Sequence, residues 1–535
     1  MECIKDIRRT ISNWCKEEWP YPVINDEIKE LLQQCTSVTI GDDDKMTTPD
    51  EIIKKSQAFP VPFPIETVRM HELKNQIPLN TLRKNISSTY PLIHERVLIL
   101  MAKFLSYKRH YGTSVEKQLY ENMSVCELID RILKKRAASF LGPYDKYKLL
   151  TGEEGASGWE EIGTTHEKPP LTLEHCLSYD EMKLSALVYL SGYTLCINNG
   201  ARSNGGVVQE EDVEDQAVII GVIGPRFHRR GKMEYEDILV TEEQNIPKNG
   251  YGIKGWRLVD VFRSKDARER NLMWRRMWAE FYDIENNTFE DISRQTKGKQ
   301  DEQKPYEQRF YTIQNLKYTY PIFDNQAYYR RITIIAESTL LEADHRAREA
   351  GKMAFVNVVG CGLGAWLISP HQADVYVLSF LERVSAMLSA RALDHVADVN
   401  FAYIKTGQDV QDIFSSKEAA NDKSPSRSWF FIENKEHPNG GINVQMQNRE
   451  PSSRLGGAHA GKLLVMTYPW DSNAHPGNEW WFGSLMTSGD PAAACSTQVA
   501  ELHNAHINPA VSGHNVRVIG RHGLKTLSEY CLAHT

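Results

Sequence analysis

AFVNVVGCGLGAWLISPHQADVYVLSFLERVSAMLSARAL, residues 354–393, decides the fold class. Its first seven residues are almost continuously apolar, as in a strand covered by helices on both faces. Gly360-Cys361-Gly362-Leu363-Gly364 then interrupts the run, and residues 373–393 resume with helical character. Similar apolar runs occur at SALVYLSGYTLCI (185–197), AVIIGVIGPRF (217–227), RITIIA (331–336), SWFFIEN (428–434), KLLVMTYPW (462–470) and VRVIG (516–520). Helical ESTLLEADHRAREAGK (337–352) lies between two of them. Strand, helix and strand in succession predict an α/β fold with a sheet between helical layers. Runs 354–360 and 462–470 are expected as near neighbours whose C-terminal ends open onto one cleft.

Residues 1–165 read differently. ISSTYPLIHERVLILMAKFLSYKRHY (86–111) and SVEKQLYENMSVCELIDRILKKRAASFL (114–141) carry helical spacing, and the second stops at Gly142-Pro143. This predicts an N-terminal helical region over 1–165 and a second domain over 166–535. GEEGASGWEEIGTTHEKPP (152–170) makes the soft boundary, and polar insertions are expected near 285–308 and 408–428.

The chain has 535 residues, 41% hydrophobic and 25% charged, which argues against general disorder or a fibrous repeat. Lys and Arg number 63 against 70 Asp and Glu, a net charge of −7. That balance lacks the broad basic field of non-specific nucleic-acid binding. Nine scattered cysteines without a C-x-x-C pair suit a reducing compartment. With no apolar leader and no 18-residue apolar stretch, a soluble cytoplasmic protein is expected, with no membrane partner.

Three segments carry chemistry. The glycines at 360, 362 and 364 would let backbone N–H groups approach a diphosphate, although the spacing matches neither a dinucleotide fingerprint nor a phosphate-binding P-loop. CINNGARSNGG (196–206) offers Asn198 and Asn199 to ribose hydroxyls, or else forms only a turn. Phe227 or Met233 could cover an aromatic base, or be core. The most specific segment is MTYPWDSNAHPGNEWWFGSLMTSGDPAAACSTQVAELHNAHINP (466–509). Asp471, Glu479 and Asp490 are set there among Gly, Pro and Asn, residues that shape a loop for position. Converging carboxylates can activate water and stabilise developing positive charge. Asp490 before Pro491 also reads as the N-cap of a small-residue helix.

Other chemistries have weaker support. His503-x-x-His506 could ligate a metal, but there is no H-E-x-x-H and no cysteine cluster. Ser488-Gly489-Asp490 is not a nucleophile elbow, and Cys361 or Cys495 as a nucleophile rests on proximity alone.

WDSNAHPGNEWW and SGDPAAACST, with VNVVGCGLGAW, INNGARSNGG and GPRF, resemble the MavL-like macrodomains, a divergent class of ADP-ribosyl hydrolases. The similarity covers about residues 170–535. It implies a macrodomain-like three-layer α/β/α sandwich that binds ADP-ribose and removes mono-ADP-ribose from arginine side chains of proteins. Catalysis would fall to Asp471, Glu479 and Asp490; some relatives carry Asp at the middle position. ADP-ribose would be held among Asn198, Asn199, Phe227, Asn357, Gly360, Gly362, Leu363, Gly364, Trp366, Asn473, Gly477 and Asn478. Neither a cofactor nor a metal is implied. The competing reading is a reader macrodomain that binds ADP-ribose without turnover. A reader has no need of the three acids.

Overall fold

The computed structural model describes residues 14–15, 18–41, 47–252, 265–296, 303–314, 320–415, 428–471 and 473–535. Parts of the expected insertions at 285–308 and 408–428 lie outside the described residues. Ten strands form one mixed sheet: β1 (Tyr90–His94), β2 (Val188–Leu195), β3 (Gln216–Val222), β4 (Ala354–Val359), β5 (Val396–Ala402), β6 (Trp429–Glu433), β7 (Gly441–Gln445), β8 (Leu463–Pro469), β9 (Arg517–Gly520) and β10 (Gly523–Thr526). Their order is β6-β7-β5-β4-β8-β3-β2-β1-β9-β10. The block β7-β5-β4-β8-β3 is parallel throughout, and its strands are buried almost residue by residue. This accounts for their continuous rather than alternating apolar pattern. Strands β4 and β8 pair directly, Ala354 opposite Leu463 and Asn357 opposite Met466.

Parallel neighbours need long crossovers. Helix α1 (Asn325–Glu349) delivers the chain to β4, and α2 (His371–Ser389) carries it from β4 to β5. The two helices pack against each other, and α1 also lies against the sheet.

Two expectations are corrected. RITIIA (331–336) is not a strand but the interior of α1. Every residue from Asn325 to Ala336 is buried, so no polar face marks a helical period, and the β-branched content imitates a strand. Asp324 starts the helix, its carboxylate accepting the N–H groups of Gln326 at 2.9 Å and Ala327 at 3.2 Å. The second correction is in residues 86–111: Tyr90–His94 form β1, and the helix begins only at Glu95. Strand β1 runs antiparallel to β2 and parallel to β9, so one sheet spans both sides of residue 165. No helix among the described residues is long and apolar enough to cross a membrane.

Candidate active site

The C-terminal ends of β4 and β8 open onto a cleft of about 400 Å³. Gly360, Leu363, Gly364 and Leu367 line it after β4, and Thr467, Tyr468 and Pro469 after β8. Gly200 and Arg202 enter from the asparagine loop, and Gly489, Ala492 and Ala493 from helix α3 (Gly489–Ser496). Ligands of open α/β sheets collect at this edge because the loops there share one mouth. Small residues on α3 keep the wall close to the strands. A Cβ on Gly489 would sit 2.5 Å from Cγ of Pro469.

Asp471 follows the end of β8. Trp470 still donates its backbone N–H to the carbonyl of Val222 at 2.9 Å, so the sheet holds the chain up to the acid. The turn beyond it is tight, with Gly477 at φ +111 and Asn478 at φ +32. It returns Asn478 to Asp471, and the Asn478 Nδ2 donates to the Asp471 carboxylate. Asp490 accepts the Gly477 N–H at 2.7 Å through Oδ1 and the Asp471 N–H at 3.4 Å through Oδ2. Glu479 accepts from the Ser488 hydroxyl at 3.2 Å, while its other oxygen is buried without a hydrogen-bond partner among the described residues.

The three acids expected from sequence thus meet in one place. Asp490 is not the N-cap, however. Ser488 holds that position, and the Asp490 carboxylate turns from its own helix toward the loop carrying Asp471 and Gly477.

Burial and mutual repulsion set the protonation of this cluster. Asp471 is pushed up to about 7 by burial and by Glu479, against the opposing pull of Arg226 and Asn478. Burial and the charges of Asp471 and Glu479 hold Asp490 well above the usual carboxylate range. Glu479 is raised as well, chiefly by burial. Carboxylates this close in a buried site cannot all ionise, so they titrate as a set. Opposite charge lies nearby. The Arg136 guanidinium, 4.0 Å over the Trp470 ring, is lowered to about 9 by burial, and Asp490 opposes that shift.

The proposed ADP-ribose contacts divide. Gly360, Leu363 and Gly364 line the cleft. The other candidates are not among its lining residues. Asn198 spends its side chain on Asn204 and on the carbonyls of Val207 and Cys495. Asn199 accepts the Ala201 N–H, so this pair shapes the loop that presents Gly200 and Arg202. Phe227 is buried against Phe323, not over a base. Asn357 is buried within β4 and accepts from Asn400. Gly362, at φ +78, packs its backbone on Gly224 and Pro225, and Trp366 lies half-buried against the core. Asn473 is buried, Gly477 serves Asp490, and Asn478 serves Asp471.

His503 and His506 form no metal pair. His503 meets the Tyr468 hydroxyl and His506 the Lys134 carbonyl. Sequence reasoning missed Arg226, the cation acting on Asp471, although the GPRF segment contains it. Ser488, weighed from sequence only as a nucleophile, instead precedes α3 and hydrogen-bonds Glu479.

The family model for ADP-ribosylhydrolase MavL-like proteins matches residues 50–533. Two Drosophila melanogaster proteins are similar along nearly their full lengths. One, named ADP-ribosylarginine hydrolase CG2909, is 36% identical, with 94% of this chain and 92% of that protein covered. The other, named ADP-ribosylarginine hydrolase CG3568, is 37% identical, with 94% and 91% covered. The family model and both relatives match along nearly the whole chain, acidic segment and glycine turn included: it belongs to the MavL-like ADP-ribosylhydrolase family.

Proposed function

We propose that the protein hydrolyses the bond between mono-ADP-ribose and arginine side chains of proteins, using a macrodomain-like fold. The observation that carries this reading is the convergence of Asp471, Glu479 and Asp490 just beyond the C-terminal end of β8, behind the Pro469 and Gly489 that line the cleft. ADP-ribose would lie along the C-terminal ends of the strands, its diphosphate against the backbone of Gly360–Gly364. Its distal ribose would reach the acids. The scissile bond joins the anomeric carbon to a guanidinium nitrogen.

Asp471 suits the general base. A base is most useful when its pKa lies near the working pH, and Asp471 stands at about 7. It takes one proton from water as the water oxygen bonds to the anomeric carbon. The carbon–nitrogen bond breaks, its electron pair stays on the guanidine nitrogen, and that nitrogen is reprotonated. Asp490, whose buried carboxyl is held well above the usual carboxylate range by burial and by Asp471 and Glu479, is the donor closest in character to this task. The remaining carboxylate charge stabilises the oxocarbenium character of the transition state.

A set of acids that repel one another also explains a preference for arginine. The guanidinium is permanently charged and planar, so it relieves the repulsion and offers paired N–H donors to a carboxylate. The test is release of ADP-ribose from peptides modified on arginine, with serine- and glutamate-linked peptides beside them. Cleavage of the arginine linkage alone is expected. Equal cleavage of all three removes the arginine preference, and tight binding without release removes the hydrolase reading.

A further inference from the structure

Asp471 is approached by two groups, Asn478 and Arg226. Both are held by one short hairpin far away in sequence, the strands Ser139–Leu141 and Lys146–Lys148 with the turn between them. On its first strand, the Phe140 N–H donates to Oδ1 of Asn478 at 2.8 Å, and the Phe140 carbonyl accepts from Nδ2 at 3.3 Å. The Ser139 hydroxyl donates to the Asn478 carbonyl at 2.6 Å. Two contacts therefore fix the amide that faces the acid, and the third fixes its backbone. The hairpin backbone thus orients the Asn478 side chain toward Asp471.

The turn holds the cation. Arg226 is 2% exposed, and its Nη2 donates to the Gly142 carbonyl at 3.0 Å and to Asp145 at 3.1 Å. Its guanidinium lies 4.6 Å over the Phe140 ring. Asp145 is fully buried and is shared with Tyr179 and Arg229. The other guanidinium nitrogen, Nη1, is buried with no hydrogen-bond partner among the described residues. A buried donor left unpaired is costly, so its retention calls for a reason. The charge of this guanidinium favours the ionised form of Asp471.

We propose that the hairpin 139–148 is a positioning element of the acidic site: it fixes Asn478 and Arg226 together and so controls the charge state and orientation of Asp471. This inference rests on the reading of Asp471 as the general base. It assigns a task to a part of the chain that the sequence marked only as part of an N-terminal helical region. The charged groups facing the cluster are Glu479 and Asp490 from the acidic loop and α3, Arg226 after β3, and Arg136 beside Trp470.

The signature is a pair of opposite shifts. Arg226→Gln removes the cation that favours ionised Asp471, so the limb of kcat/KM that rises with pH should move to higher pH. Asp145→Asn removes the anion that compensates Arg226, so the same limb should move to lower pH. Asparagine suits the left-handed backbone at this position, φ +51. Each shift should be roughly half a pH unit, about a threefold change in activity on the limb. Arg226→Lys should return the profile toward the parent, and Arg229→Gln should leave it in place. Folding is followed by circular dichroism. A purely structural wall would lower activity equally at every pH, and shifts of the same sign, or none, overturn the proposal. If Arg226→Gln fails to fold, the direction of the Asp145→Asn shift alone decides. Titration of carboxyl-labelled aspartate by 13C NMR, assigned with Asp471→Asn, reads the same effect without substrate. Shifts seen there without any cleavage of arginine-linked peptide would sink the functional reading and leave the positioning role standing.

Discussion

The turns that follow β4 and β8 leave the same end of two paired, parallel strands, yet they differ sharply in charge. After β4 come Gly360 to Gly364, with no titratable side chain except the buried Cys361 thiol, and the cleft meets Gly360 and Gly364 there. After β8 come a loop and the first turn of α3, whose three carboxylates are all raised above their ordinary range. The first turn can take an anion through backbone donors at little cost to the fold. The second holds acids whose mutual repulsion is relieved by protonation or by a cation. On the proposed reading, binding and chemistry fall to separate turns on neighbouring strands, and each can be broken alone.

The largest effect should come from the acidic turn. Asp471→Ala should lower turnover of arginine-linked peptide at least ~10²-fold while leaving the affinity for free ADP-ribose within about twofold. Single-turnover release and calorimetry measure the two quantities. Full activity in this variant would remove Asp471 from the mechanism.

The glycine turn should show the converse. A Cβ on Gly364 meets nothing within 4 Å, so Gly364→Val should fold normally. Its side chain would nonetheless stand between backbone and ligand. A loss on the order of 2 kcal/mol, roughly 30-fold in Kd, is expected by calorimetry. Gly362→Val differs, since φ +78 and the Pro225 carbonyl 3.1 Å from the new Cβ should reduce stability as well. Unchanged affinity in folded Gly364→Val would show that this turn does not hold the diphosphate.

A smaller effect follows from protonation. Asp471 acts ionised, so kcat/KM should fall about tenfold per pH unit below about 7, read from a pH series on one arginine-linked peptide. The limb belongs to the coupled acids as a set. A flat profile between pH 5 and 8 would exclude Asp471 as the base.

The smallest effect is on stability. Unfolded Asp471 ionises near its ordinary value, about 4, but in the fold only near 7. The unfolded chain thus binds fewer protons between those values, and stability falls as pH rises through them. Asp471→Asn removes that loss. Its Tm should exceed the parent's by about 2 °C at pH 8 and match it near pH 4. An equal difference at both pH values would mean that the acid carries no stored repulsion.

Much of the site was legible because its residues cluster in sequence. Asp471, Glu479 and Asp490 lie within twenty residues of one Gly-, Pro- and Asn-rich segment, whose unusual composition marks it out. Gly360, Leu363 and Gly364 were legible for the same reason. The misassigned contacts have a different character. Asn198 and Asn199 look free in sequence, yet their amides fill hydrogen bonds inside their own loop. Phe227 looks like a ring for stacking and instead fills the core.

The sequence by itself determined that a buried parallel sheet with helical crossovers exists, because continuous apolar runs between amphipathic segments have few other stable solutions. It also determined that three acids are close together in one short segment. Only the tertiary structure decided that Tyr90–His94 is a strand and that Ile332–Ala336 is helical, since uniform burial erases the period that separates the two. It alone brought Phe140 and Asp145 to Asn478 and Arg226. Contacts between segments separated by hundreds of residues leave no local pattern, because any chain that packs correctly can supply the partner.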